Sequence, residues 1–136
     1  MPSRDSELRL VIQRIARRIR SETAGGELSD GKRSILFRLD EHGSLSLGAL
    51  SELEHVTPPS MNRAVGVLVE RGFVSRDQAA DDARKVSIAL TAAGSAWVQE
   101  TRRRRDAWMA ARLAGLTAEE RETLDAAVPV LRKLGS

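Results

Sequence analysis

Between Thr57 and Gly72 the chain gathers residue types suited to reading another molecule onto one side of a helix. Spaced 100° apart, Met61, Val65 and Leu68 fall together with Ala64 beside them and form an inward stripe. Pro59, Asn62, Arg63 and Gly66 fall on the opposite side. Solvated helix faces are usually rich in glutamate and lysine, whereas this one presents an amide, a guanidinium and then a bare backbone. Asn and Arg match the donor and acceptor patterns of base edges in a DNA major groove, and the hydroxyls of Thr57 and Ser60 suit phosphate oxygens. The competing reading is a plain surface helix with no ligand.

A second charged constellation follows in the polar stretch 77–85. Asp82 and Arg84 stand two apart, so on an extended strand both point to one side and can pair. An arginine braced by a carboxylate suits a minor groove, which attracts positive charge and is read mainly by its width. Lys85 adds a further cation. A solvated turn carrying a surface ion pair is the alternative for this loop taken alone.

The surrounding pattern supplies the elements that would hold these groups. Leu8, Val11, Ile12, Ile15 and Ile19 recur at steps of three and four and predict a helix over 4–23, ended by Gly25-Gly26. A second helix follows Ser29 or Asp30, buries Ile35, Leu36 and Leu39, and stops at Gly43. Ser46 caps a short helix with Leu47, Leu50 and Leu53. Thr57 caps the next, with Pro58 at its first position, where a missing N–H costs nothing. Residues 73–76 and the alternation of Val86, Ile88 and Leu90 predict two strands, joined by the link 77–85 as a hairpin. Thr91 starts a long helix reaching about Ala114. Thr117 with Glu120 forms a capping box for a last helix, inside which Pro129 should cause a kink and cost a hydrogen bond. The predicted fold is mainly α with a small antiparallel hairpin, in the order α-α-α-α-β-β-α-α.

Composition narrows the function classes. The 136 residues carry 22 Lys+Arg against 19 Asp+Glu, a net charge of +3, with 19 of the cations arginine. A pI near 10.1 is compatible with a nucleic-acid partner, although arginine-rich codon usage accounts for it equally well. Cysteine is absent, which excludes disulfides, thiolate metal sites and thiol redox sensing. His42 and His55 are the two histidines, read as helix-end and turn residues rather than metal ligands. No nucleophile–base pair, phosphate-cradling glycine loop or acidic cluster stands out, so neither an enzyme nor a cofactor is expected. The arginine-studded start has no apolar core of a signal peptide, and no run is long enough to span a membrane; a cytoplasmic protein is expected.

The run Val56-Thr57-Pro58-Pro59-Ser60-Met61-Asn62-Arg63, followed by Leu68-Val69-Glu70-Arg71-Gly72-Phe73-Val74, closely resembles the MarR family of winged helix-turn-helix transcription regulators. Asp81-Asp82-Ala83-Arg84-Lys85-Val86 resembles that family's wing motif, and Leu90-Thr91-Ala92-Ala93-Gly94 its strand-to-helix junction. The resemblance implies a winged helix-turn-helix over 29–94, flanked by dimerisation helices from 1–28 and 95–136. It implies a homodimeric repressor that reads double-stranded DNA at a pseudo-palindromic operator, with helix 57–71 in the major groove and wing 77–85 in the minor groove. Thr57, Pro59, Ser60, Asn62 and Arg63 match the family's major-groove and flanking phosphate positions; Arg84 matches the wing-tip residue, Asp82 its brace, and Lys85 follows in the same motif. Many relatives release DNA on binding a small, often aromatic effector between the two regions. Two departures stand out: Ala49 sits where an acidic residue often completes a capping box with Ser46, and Gly66 and Val67 offer little hydrogen bonding.

The residues argue independently for a dimer, because the terminal stripes Leu8 to Ile19 and Leu124 to Leu134 need covering and two copies can cover each other. An intramolecular bundle is the alternative. Arg102 to Arg105 read as solvated surface, salt-bridged to a partner chain in one version, and Trp97 and Trp108 either pack or line a ligand cavity. A winged-helix protein-interaction module without DNA binding is the competing function; Asn62, Arg63 and Arg84, which such a module is free to lose, argue against it.

Overall fold

Every α-helix among the described residues starts behind a serine or threonine whose side-chain oxygen accepts a backbone N–H of the first turn. Each cap fills a donor that a helix start leaves without a partner. A computed structural model describes residues 3–79 and 82–136, with the backbone alone for 79 and 82–85. Ser3 caps α1 (Arg4–Ser21), Ser29 caps α2 (Asp30–His42), and Ser46 caps α3 (Leu47–Glu54). Thr57 caps α4 (Pro58–Glu70), Thr91 caps α5 (Ala92–Ala114), and Thr117 caps α6 (Ala118–Leu134) with the reciprocal Glu120 bond. The Ser46 hydroxyl accepts from Ala49 N at 3.0 Å, so α3 keeps half of a capping box without an acidic partner. Helix α6 continues through Pro129, which nonetheless removes one helical N–H.

The sheet differs from the expected hairpin in two respects. A two-residue strand β1 (Leu45–Ser46) pairs with the last strand, Leu45 opposite Ile88, and makes the sheet three-stranded. Two residues are too short for an alternation to register. The remaining strands, β2 (Val74–Ala79) and β3 (Asp82–Leu90), also run into the stretch expected as a polar link. Asp77 pairs with Ser87 and Gln78 with Val86 before the register slips near Ala79. Alternation reports burial, whereas ladder bonds use backbone alone, so the polar end of the ladder is invisible to a hydrophobic pattern.

Burial is concentrated in the middle of the chain. Leu28, Ile35, Leu36, Leu39, Leu50, Met61, Val65, Leu68, Val74, Ile88, Trp97 and Val98 form one cluster. Neither α1 nor α6 buries a residue. The region α2 to the start of α5 therefore has its own core, and the terminal helices lie outside it.

The connection between α1 and α2 is held by α5. α1 ends two residues before the expected point: Glu22 is already extended, and Gly25 and Gly26 lie further on in the loop. Along that loop Ala24 N donates to Thr101 Oγ1 at 3.0 Å and Trp97 Nε1 donates to the Gly25 carbonyl at 2.8 Å. Arg104 donates to the Thr23 carbonyl and Arg105 to that of Glu22. Arg102, Arg103 and Arg104 are exposed, as a solvated surface requires, and Arg105 is half-buried; all four also find partners in their own chain. Arg102 pairs with Asp40 at 2.7 Å, Arg103 with Glu100 at 2.6 Å, and Arg105 stacks 4.8 Å from the Phe37 ring centre. The 100° spacing that prevents four arginines from meeting one ligand spreads them over Asp40, Glu100, the Phe37 ring and the loop carbonyls of the same chain. Hydrogen bonds from Arg103 and then Arg104 hold the Glu100 carboxyl down at about 2. Trp97 is packed, edge-on to Phe37 at 5.9 Å and beside Phe73. The guanidinium groups of Arg18 and Arg112 lie 5.5 Å and 5.3 Å from the Trp108 ring centre.

Candidate nucleic-acid interface

The α4 helix separates its residues as its periodicity requires. Met61, Val65 and Leu68 are almost completely buried, which fixes the rotation of the helix about its own axis. Thr57, Pro59, Asn62 and Arg63 are consequently exposed, and Ser60 is half-buried at the rim. Three of these residues are already linked. Thr57 Oγ1 accepts from Ser60 N at 3.3 Å and lies 3.1 Å from Ser60 Oγ, and Arg63 donates to Ser60 Oγ at 3.3 Å. The helix start thus carries a short hydroxyl–guanidinium chain whose side chains suit phosphate oxygens, while its backbone offers no free donor: Pro58 and Pro59 have no N–H, and those of Ser60 and Met61 are bonded to Thr57. Asn62 and Arg63, a step further along, present an amide and a guanidinium outward.

The turn before α4 is tight because His55, the residue after α3, takes a left-handed conformation at φ 53°. Val56 N then bonds back to the Ser51 carbonyl at 3.1 Å. Ser51 and Leu50 are buried, so α3 is anchored and α4 leaves it at a fixed angle. On the other side Gly72, at φ 78°, ends α4 and delivers the chain into β2.

Asp82, Arg84 and Lys85 belong to β3, not to a turn. The side chains of all three lie outside the described residues, as do residues 80 and 81 at the tip.

Two groups that the sequence did not single out also belong here. Arg76 of β2 donates to the Asn62 carbonyl of α4 at 2.9 Å. Alternation puts Arg76 on the same strand face as buried Val74, and a charged residue on the packed face of a strand was the legible signal. The second group is a cavity of about 190 Å³ lined by Arg20, Asp30, Arg33, Ser34, Phe37 and Arg105. Arg33 pairs with Asp30 at 2.7 Å, while its Nε is buried with no hydrogen-bond partner among the described residues. Burial first, then repulsion from Arg33 and Arg20, pulls the Arg105 guanidinium below its ordinary value, with Asp30 opposing. These arginines come from three helices distant in sequence, which is why no local motif announced them. Among the described residues no helix is long and apolar enough to cross a membrane.

A family profile described as MarR family matches residues 28–86, the span that contains this interface. An HTH-type transcriptional regulator of Mycobacterium tuberculosis is 35% identical over 129 residues, covering 95% of this chain and 90% of the relative. The HTH-type transcriptional repressor YetL of Bacillus subtilis is 38% identical over 80 residues, 57% of this chain and 47% of that protein. Among solved structures, a point mutant of Staphylococcus aureus MepR bound to an oligodeoxyribonucleotide superposes with a TM-score of 0.77 at 17% identity, covering the whole of both chains. At that identity the likeness is one of fold. The profile match, the full-length relative and the winged helix-turn-helix architecture agree: the chain belongs to the MarR family of HTH-type transcriptional regulators, and it is a regulator rather than an enzyme.

Proposed function

We propose that the protein is a homodimeric repressor that binds a pseudo-palindromic operator in double-stranded DNA. Residues 29–94 form the DNA-binding region and residues 1–28 with 95–136 the dimerisation region. Helix 57–71 enters the major groove, where Asn62 and Arg63 read base edges and Thr57, Pro59 and Ser60 meet the edge of the groove and its phosphates. Wing 77–85 reaches the minor groove through Arg84, with Asp82 as its brace and Lys85 on the adjoining backbone. The carrying observation is the division of α4 into a sealed face of Met61, Val65 and Leu68 and an exposed face of Pro59, Asn62 and Arg63.

The dimer reading rests on apolar surface. Leu8, Val11, Ile12 and Ile15 of α1 and Leu124, Val128, Leu131 and Leu134 of α6 are all exposed in a single chain. α1 and the end of α6 line an apolar groove of about 600 Å³, a contiguous apolar surface of the kind that marks an interaction site. The arginine-lined cavity between α1, α2 and α5 is the position for an effector, and its cations with the Phe37 ring favour a small aromatic anion. Repression follows the pattern of the relative YetL, a repressor.

The test is a titration of purified protein against DNA from upstream of its own gene in excess random competitor. The expected result is competitor-resistant binding with two chains per site. Binding that random DNA abolishes for every fragment of a genomic library would sink the operator reading.

A further inference from the structure

The bond between Arg76 and the recognition helix has a geometry that depends on Gly66. In an α-helix the carbonyl of Asn62 already faces the N–H of Gly66. A carbonyl oxygen has two lone pairs, and Arg76 reaches this one from β2 at 2.9 Å. To do so its guanidinium lies against the stretch from Asn62 to Gly66, on the outward side of α4. A Cβ built on Gly66 would meet Arg76 first, at 3.7 Å. The bare backbone at Gly66 is therefore the space through which Arg76 approaches, and a longer side chain there would compete for it.

On the DNA-binding reading just given, on which this rests, we infer that Arg76 is a positioning residue for specificity, locking the root of the wing to the recognition helix. The two reading elements must enter adjacent grooves together. Their relative orientation is also held at the link by Gly72 and Phe73, whose N–H groups bond back to the carbonyls of Val69 and Leu68, and by apolar packing, which is not directional. The Arg76 bond is directional and charge-assisted, and it lies four residues from Gly72, where a small change in hinge angle moves the wing tip most. Arg76 acts through the placement of Arg84, not through a base of its own.

The experiment is a double-mutant cycle read by operator affinity and by the ratio of operator to random DNA affinity. Arg76→Ala should weaken operator binding about tenfold, the scale of one charged hydrogen bond, and lower the ratio. Arg84→Ala should also weaken it, and the double variant should be little worse than Arg84→Ala alone, because a wing without its probe gains nothing from being aimed. Thermal unfolding of each variant separates a loosened joint from a lost fold. Additive losses, or an Arg76→Ala variant with the parent's affinity and ratio, overturn the inference and leave DNA binding standing. A parent protein that binds no operator overturns the DNA-binding reading and this inference with it.

Discussion

Asn62 and Arg63 stand side by side on the exposed face of α4, yet they start from different situations. Arg63 is already bonded to Ser60 Oγ, so DNA must either keep that bond or exchange it. If Arg63 reads a base, Arg63→Ala should cost about 1–3 kcal/mol on the operator and relax discrimination at one base pair. A uniform loss across all sequences, with a shallower salt dependence, would make it a phosphate contact. Competition binding on a panel of singly substituted operators distinguishes the two. The outward direction of both residues was legible in sequence because it follows from the helical period and the apolar stripe alone. The Arg63–Ser60 bond was not, because i,i+3 reach is common to many side-chain pairs and only packing selects a rotamer.

At the scale of elements, the junction between β3 and α5 is the tightest point of the fold. Gly94 sits in the first turn of α5, and a Cβ there would fall inside the van der Waals shell of the Phe73 carbonyl oxygen. That carbonyl also accepts from Thr91 N at 3.1 Å, so it has little freedom to retreat. Gly94→Ala should destabilise the protein by about 3 kcal/mol, the upper part of the range for overpacking, and calorimetry would read it as a lowered Tm. A Tm equal to the parent's would mean that α5 can shift off the sheet freely. The helix α5 also carries the acid-sensitive pair group. A carboxyl near 2 when folded and about 4.3 when unfolded adds stability that is present above the higher value and is lost as pH falls towards the lower one. Glu100→Gln should therefore be less stable than the parent at neutral pH, and the difference should shrink on acidification to about pH 2. The effect is small because Glu100 is exposed, so Tm differences across the pH series are the measurement to make.

For the whole molecule, the contrast between a sealed centre and bare ends is the basis of the proposed assembly. Neither α1 nor α6 has a buried residue, and in the proposed dimer a second chain covers them. Replacing Ile12 and Leu131 together with aspartate should convert the dimer to a monomer in sedimentation equilibrium and weaken operator binding strongly, since each half-site would then bind alone. An unchanged mass would show that the terminal helices close on their own chain instead. The loop from Glu22 to Gly25 connects these scales. It joins the terminal helix to the central unit and is held by Trp97, Thr101, Arg104 and Arg105, so the arginine-lined cavity beside it adjoins the joint between the two regions.

The sequence alone determined the helix order, the caps and the inward and outward faces of α4, because these depend on spacing within one segment and on side-chain types that act locally. It also carried the family motifs, which are runs of neighbouring residues. Only the tertiary structure decided the pairing of Leu45 with Ile88, the use of Arg102 to Arg105 within the chain, the meeting of Arg20, Arg33 and Arg105, and the reach of Arg76 over Gly66. Each of these joins segments far apart in the chain, and such contacts depend on how the elements pack, which leaves no periodicity behind.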